Sequence, residues 1–417
     1  MATVSSRSPR ALEAAGFFLA DVQAGVGPFL GVYLQAHHWA PGRIGTAMTI
    51  GGLVALVATV PAGALVDSTT HKRGIVASAS IGTVLATCIV LVSTSFPAVV
   101  ASQVLTALTG AVFGPVLAGL TLGLVGQDGF DRQFGRVQVA NHAGNVVAAA
   151  LSGYLGWRFG FTAIFMLAAA FGVLAIATVY LIRREDIDDQ RARGMPEEAP
   201  EQGEAAGGFR LLWRSRPLLL LAGTLCLFHL GNAAMLPLFG LAVVARGQAD
   251  PALFTSLTIV IAQLVMVGAS LVAMRWMRTR GHWWVVLLTL VALPVRGVVA
   301  ALWMAPWGVV PVQVLDGIGA GLQSVAVPAL VAHLMRGTGR ANVAQGAVLA
   351  AQGLGAALSP ALGGWIAELY GFAASFLCLG ALAAGALAVW LAARAALPSP
   401  PRPSLSNPEP AHALDRS

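Results

Sequence analysis

GALVDSTTHKR, Gly63–Arg73, is the stretch whose reading decides the fold. It joins two long apolar runs and gathers Asp67, His71, Lys72 and Arg73 within a few positions, while almost everything on either side is uncharged. A small residue, an acid and then a basic cluster between two apolar stretches read as a short hairpin between membrane helices. Gly63 is expected to let the helices approach closely. Lys72 and Arg73 are expected to hold the turn on the cytoplasmic side.

The composition agrees. The 417 residues are 57% hydrophobic and 10% charged, with mean hydropathy +0.76. A soluble domain is about one-quarter charged, so this is read as an integral membrane protein. A net charge of +7 raises nucleic acid as a partner. That class is excluded because the basic residues fall in short joints between apolar runs and form no basic domain. Cys88, Cys226 and Cys378 lie within apolar runs, so they read as small core side chains and not as a disulfide or metal framework. The polar N-terminus leads into a full-length apolar run with no cleavage motif, so the first helix is expected to act as its own insertion signal.

A membrane-crossing helix needs about 20 mostly apolar residues, and lipid leaves the backbone no partner outside the helix. Twelve such runs begin near Leu12, Ile44, Ile75, Pro97, Gly135, Phe161, Pro217, Leu253, Trp283, Trp307, Ala341 and Phe372. With the N-terminus inside, 21 of the 25 Lys and Arg residues lie on the cytoplasmic side, three lie outside, and Arg296 lies within a helix. That split sets both termini in the cytoplasm and supports the even count. Trp39, Trp157, Trp213, Trp283, Trp303 and Trp307 stand at expected helix ends, as interfacial anchors do.

The expected organisation is a cytoplasmic N-terminus (1–10), a six-helix bundle (11–182), a cytoplasmic linker (183–216), a second six-helix bundle (217–396) and a disordered cytoplasmic tail (397–417). The linker is acidic, Gly- and Pro-rich and too polar to bury a core. Internal repetition supports two halves. QVLTALTG at Gln103 returns as QVLDGIGA at Gln313, and GYLGWRFGF at Gly153 returns as GWIAELYGF at Gly364. Both pairs fall at corresponding places, as in transporters built from parallel repeats.

These features together resemble the major facilitator superfamily over essentially the whole chain. The hairpin resembles the family's loop signature through Gly63, Leu65, Asp67, Lys72 and Arg73. The resemblance implies an all-α membrane fold of twelve transmembrane helices in two pseudo-symmetric six-helix bundles, with helices 1, 4, 7 and 10 lining a central cavity and the hairpin acting in conformational change. SPALGG, Ser359–Gly364 in the eleventh helix, resembles a proline–glycine motif that exporters of the superfamily carry in the fifth.

Ionisable groups inside a bilayer are costly, about 2.5–3.5 kcal/mol each on insertion scales, and need a reason. Asp21 stands midway along the first helix. A lone carboxylate there can carry a proton across. Arg296 in the ninth helix and Asp316 in the tenth fall at similar depth and read as an ion pair. In the other reading Arg296 reaches to the interface and Asp316 faces a wet cavity alone. His229 and His142 read as titrating groups or as neutral hydrogen-bonded ones. Gln23, Gln103, Asn141, Asn145, Asn232, Gln263, Gln313 and Gln352 line the cavity or bond helix to helix. Gly27–Pro28, Gly114–Pro115, Leu236–Pro237 and Val327–Pro328 are expected to bend cavity helices.

No Gly-rich phosphate loop, paired His–Glu zinc motif or nucleophile elbow occurs, so the chain reads as no enzyme and needs no cofactor. The preferred function is a monomeric secondary transporter in a bacterial-type inner membrane. It moves a small organic solute by alternating access, coupled to protons and outward. Proton-coupled exporters of the superfamily often carry an Arg in the fourth helix, near the place where this chain has Gln103 instead, so import or facilitated passage of a metabolite or organic anion, with Arg296 as contact, stays open. A membrane sensor or assembly factor on the same fold is the alternative of another class.

Overall fold

The computed structural model describes residues 7–24, 27–193, 215–335 and 341–396. The centre of the linker, Trp213, Arg336, Arg340, the tail and the side chain of Gln23 lie outside the described residues.

Among the described residues fourteen α-helices follow in order: α1 (Arg7–Ala24), α2 (Gly27–Ala36), α3 (Pro41–Ser68), α4 (Lys72–Val92), α5 (Phe96–Gly110), α6 (Phe113–Phe159), α7 (Phe161–Tyr180), α8 (Arg216–Asn232), α9 (Met235–Ala245), α10 (Pro251–Arg280), α11 (His282–Leu302), α12 (Val309–Leu334), α13 (Ala341–Tyr370) and α14 (Phe372–Ala392). They compose twelve spans. Span 1 is α1 with α2, span 4 is α5 with the first arm of α6, span 5 is the second arm, and span 7 is α8 with α9. Eleven described helical stretches are long and apolar enough to cross a bilayer. The arm of α6 over 127–159 is the least apolar span, because Asn141, His142 and Asn145 interrupt it.

Span 5 begins earlier than the sequence suggests. Gly126 is the one non-helical residue within α6 (φ 68°, ψ −176°), and the helix resumes directly after it. Residues 127–135 are too polar for lipid, yet they wind as an extension held by span 1. Gln133 donates to the Pro9 carbonyl (3.1 Å) and to Glu13 (3.0 Å), and Arg136 pairs with Glu13 at 3.0 Å.

The repeated Gly–Phe pairs have a backbone reason. Gly160 (φ 81°, ψ 176°) and Gly371 (φ 86°, ψ 161°) turn the chain between one span and the next, and Phe161 and Phe372 open the following helices. A residue with a Cβ is strained in that region.

Prolines kink two spans. Pro115 and Pro237 each lack the amide that would bond one turn back, so helix assignment lapses at Ala111–Val112 and Ala233–Ala234 while the backbone stays right-handed. The amide of Ala234 is taken up by the Ser359 hydroxyl of span 11 at 2.9 Å. Pro328 sits inside α12 without interrupting it.

The basic residues of Gly63–Arg73 do more than mark a side. Lys72 is 1% exposed, and its Nζ donates to the carbonyls of Val66 and Thr69, both at 3.1 Å. It thus covers the electronegative end of α3. Arg73 donates to the Ile182 carbonyl at the end of span 6 (2.7 Å) and lies over the Tyr180 ring. Gly63 makes no close approach here, for a Cβ built on it meets nothing within 4 Å. Lys72→Met is expected to destabilise by about 1.5–3 kcal/mol, the worth of hydrogen bonds to a charged group. A fall in the apparent Tm of the purified protein checks this.

The first residues of the linker also fold, despite their polarity. Asp188 donates its amide to the Gly123 carbonyl (3.0 Å), burying Ile187 and Ala192 against α6. Ser8 donates to Asp186 at 2.5 Å, which ties the strap to the start of span 1.

Candidate functional site

Span ends carrying Arg7, Arg73, Arg136, Arg183, Arg280 and Arg394 share one face, here the basic face. All four inter-half side-chain hydrogen bonds among the described residues lie toward the opposite face. Gln35 donates to the Leu241 carbonyl (3.2 Å), and Glu368 accepts from the Gly42 amide (2.9 Å). Thr49 accepts from the Ala361 amide (3.0 Å), and Trp365 donates to Thr46 (3.1 Å). Spans 2 and 11 touch backbone to backbone there, at Gly45 on Pro360 and Gly364 on Pro41. Spans 5 and 8 meet through Gly153 on Ser256 and Gly156 on Ala252. Toward the basic face the same helices part. Val57, Val60 and Leu65 of α3, Val139 of α6 and Leu264 and Leu271 of α10 are exposed. An apolar groove runs along Leu53, Val57, Pro61, Leu65 and Leu108. The side-chain hydrogen bonds between the halves are thus gathered at the face opposite the basic one. SPALGG, rather than standing in span 5, forms the span 11 side of that closure.

The charged centre lies in the second half. Arg296 on α11 is 1% exposed and meets Asp316 of α12 at 2.7 Å. The same Nη1 donates to Asn232, the last residue of α8 before the span 7 kink, also at 2.7 Å. Arg296 therefore does not reach for the interface. Its Nε and Nη2 are enclosed with no partner among the described residues. Beside them is a small cavity lined by Phe228, Leu293, Leu315, Gly319 and Ala320. One turn earlier on α8, the His229 ring nitrogen Nε2 meets the Gln323 amide at 2.8 Å, so α8 and α12 are bridged once directly and once through Arg296 of α11.

In the first half Asp21 is half-buried on α1, with Oδ2 enclosed and unpartnered. Among the described residues no ion pair or hydrogen bond joins it to Arg296 or Asp316. Asn141 bonds helix to helix, donating to the Gly16 carbonyl of span 1 at 3.1 Å, and Asn145 donates back to Asn141. Gln103 packs against Gly51 of span 2. His142 Nδ1, Gln263 Oε1 and both amide atoms of Gln313 are enclosed without partners among the described residues, and Gln352 is half-buried on α13. Asp67 is exposed at the end of α3.

Sequence reasoning passed over four residues. Gln323 stands two turns beyond Asp316, and that i, i+7 spacing on one face was a usable signal. Glu13 lies two turns before Asp21. Ser359 and Glu368 act across the closure, and only the packing of the two halves reveals them.

A family model described as Major Facilitator Superfamily matches residues 13–343. Two relatives, each named as an uncharacterized MFS-type transporter of Mycobacterium tuberculosis, one from strain CDC 1551 / Oshkosh and one from strain H37Rv, are 38% identical over 94% of this chain and 94% of theirs. A crystal structure of a mutant of the nucleoside transporter NupG superposes with TM-score 0.76 at 14% identity, covering 92% of this chain and 99% of that one. A bacterial homolog of the human lysosomal transporter Spinster, inward-facing and unoccupied, gives 0.71 at 15% identity, covering 96% and 100%.

Proposed function

The chain belongs to the Major Facilitator Superfamily, and from that premise we propose that it exports a small, weakly polar or amphipathic organic compound in exchange for protons. It does so as a monomer, by rocking its two halves around the mid-membrane residues. The observation that carries this reading is Asp21, a carboxylate on a cavity helix with an enclosed, unpartnered oxygen and no counter-ion among the described residues. Such a group can be occupied by a proton or by a donor group of the solute, one at a time. That competition is what exchange requires. Few fixed charges line the path, which suits a weakly polar solute.

In this reading the basic face is cytoplasmic, the membrane is the bacterial inner membrane, and both termini lie inside. The arginine distribution supports that orientation.

Purified protein in liposomes tests the proposal. An imposed pH gradient is expected to drive solute flux, and Asp21→Asn to cut gradient-driven flux at least about a hundredfold, the lower end for a lost proton-transfer group, while leaving membrane insertion intact. Equal flux with and without the gradient overturns the coupling. No flux across a broad solute panel favours a sensor or assembly factor.

One observation favours a second reading. Two Arg296 nitrogens have no partner among the described residues and lie beside a cavity of about 10 Å³, room for a single water, so they suit an acceptor group of an organic anion once rocking of the halves opens that space. Transport of a labelled anion that survives Arg296→Gln removes this version.

A further inference from the structure

On the basic face of the second half, the ends of α10, α11, α12 and α14 bring together cations and aromatic rings that the transport path does not use. The Arg394 guanidinium lies 4.9 Å from the centre of the Trp283 ring and 5.6 Å from that of Trp284. The two indoles meet edge to face with centroids 4.9 Å apart. Arg280 stacks over Trp276 at 5.8 Å, and the His282 and His333 rings lie 5.7 Å apart.

Stacking on a ring uses the flat face of a guanidinium and leaves its edge N–H donors free. Neither Arg394 nor Arg280 has a carboxylate partner among the described residues. The second half contains only three carboxylates in its described residues, and each is engaged elsewhere. Asp250 caps α10 from the opposite face, Asp316 pairs with Arg296, and Glu368 accepts from Gly42. Arg394 and Arg280 are exposed, and so is Trp284. The shelf is therefore positive and unneutralised among the described residues, at the level where tryptophans mark the headgroup layer.

We propose that this shelf binds the phosphate-bearing headgroup of an anionic phospholipid. The indoles set the depth and carry the Arg394 guanidinium, and its outward N–H groups grip the phosphate. Arg280 and the histidine pair close the site from the sides. An anionic headgroup supplies the charge that the second half lacks at this face. A neutral zwitterionic lipid does not, because its own ammonium competes for the phosphate.

The test uses the full chain in detergent, with apparent Tm followed as phosphatidylglycerol is added. Phosphatidylcholine and inorganic phosphate serve as the comparison arms. Phosphatidylglycerol is expected to raise the Tm saturably and the other two are not. Arg394→Gln is expected to weaken the half-saturating concentration about fivefold, the worth of one arginine near an anionic surface. Arg280→Gln acts in the same direction and serves if the first variant fails to fold. Arg246→Gln, on the opposite face, is expected to leave the response unchanged. Both shelf variants responding like the parent would overturn the site. An equal shift from inorganic phosphate makes it a free-anion site and overturns the lipid. An equal shift from phosphatidylcholine overturns charge recognition.

Discussion

Asp316→Asn should prove among the most destabilising single changes in this protein. It leaves the Arg296 guanidinium 1% exposed with Asn232 as its remaining partner and two nitrogens already unsatisfied. Removing one member of a buried pair costs about 3–5 kcal/mol, because the surviving charge stays uncompensated in a low-dielectric place. Replacing both members is far milder, since no charge is then stranded. The expected order of apparent Tm in detergent is therefore parent, then Arg296→Gln/Asp316→Asn, then Asp316→Asn. The charge-exchanged double variant should fall above either single change. If the single and double variants melt together, the pair adds nothing beyond its separate desolvations. The same series separates stability from transport. A double variant that is stable and transports without regard to a pH gradient would show that the pair couples, rather than merely holds, the second half.

Gly45→Val should open the closed face. Even a Cβ at Gly45 runs into the Pro360 carbonyl, reaching its carbon at 2.7 Å, and backbone cannot step aside as a side chain can. Spans 2 and 11 must then separate, and the bonds of Gly42 to Glu368 and of Thr49 to Ala361 go with them. Overpacking of this kind costs about 1–3 kcal/mol. Because the cost falls on only one of two states, the population shifts about 5–150-fold toward the other. Gln35→Cys, in a background with the three native cysteines replaced, reports it, since Gln35 bonds across the halves at the same face. Its labelling by a membrane-impermeant thiol reagent from that face should rise by a comparable factor. Unchanged labelling would mean that the closure rests on spans 5 and 8 instead.

Much of the fold is legible because lipid removes choices. Long apolar runs must be helices, so most span starts fall within a few residues of where hydropathy puts them. Span 5 is the exception for a physical reason. Residues 127–135 are polar, and hydropathy cannot tell a helix continuing beside span 1 from a loop. The Gly–Phe repeats were legible as letters, and the left-handed glycines give them their meaning. The site was legible in kind but not in arrangement. Asp21, Arg296 and Asp316 stand out because charge in an apolar run is rare. Asn141 and Asn232 look alike in sequence, yet one binds a neighbouring backbone and the other a guanidinium. Lys72 misled most. A lysine in a basic turn reads as a solvated marker, and only the nearness of the Val66 and Thr69 carbonyls shows it turned inward. Glu368 could not be read at all, and Ser359 only as a letter of SPALGG, because their partners belong to the other half or to a kink 125 residues away.

Lys72 is also the sole lysine of the chain. Amine chemistry and lysine-directed proteolysis thus address one internal bond, Lys72–Arg73, at the root of the hairpin. In the folded protein that ammonium is engaged on backbone carbonyls and shut from water. A lysine-specific endoprotease should therefore spare the native chain and cut it once when spans 2 and 3 come apart. The molecule contains its own one-site reporter of local unfolding, readable as two bands on a gel.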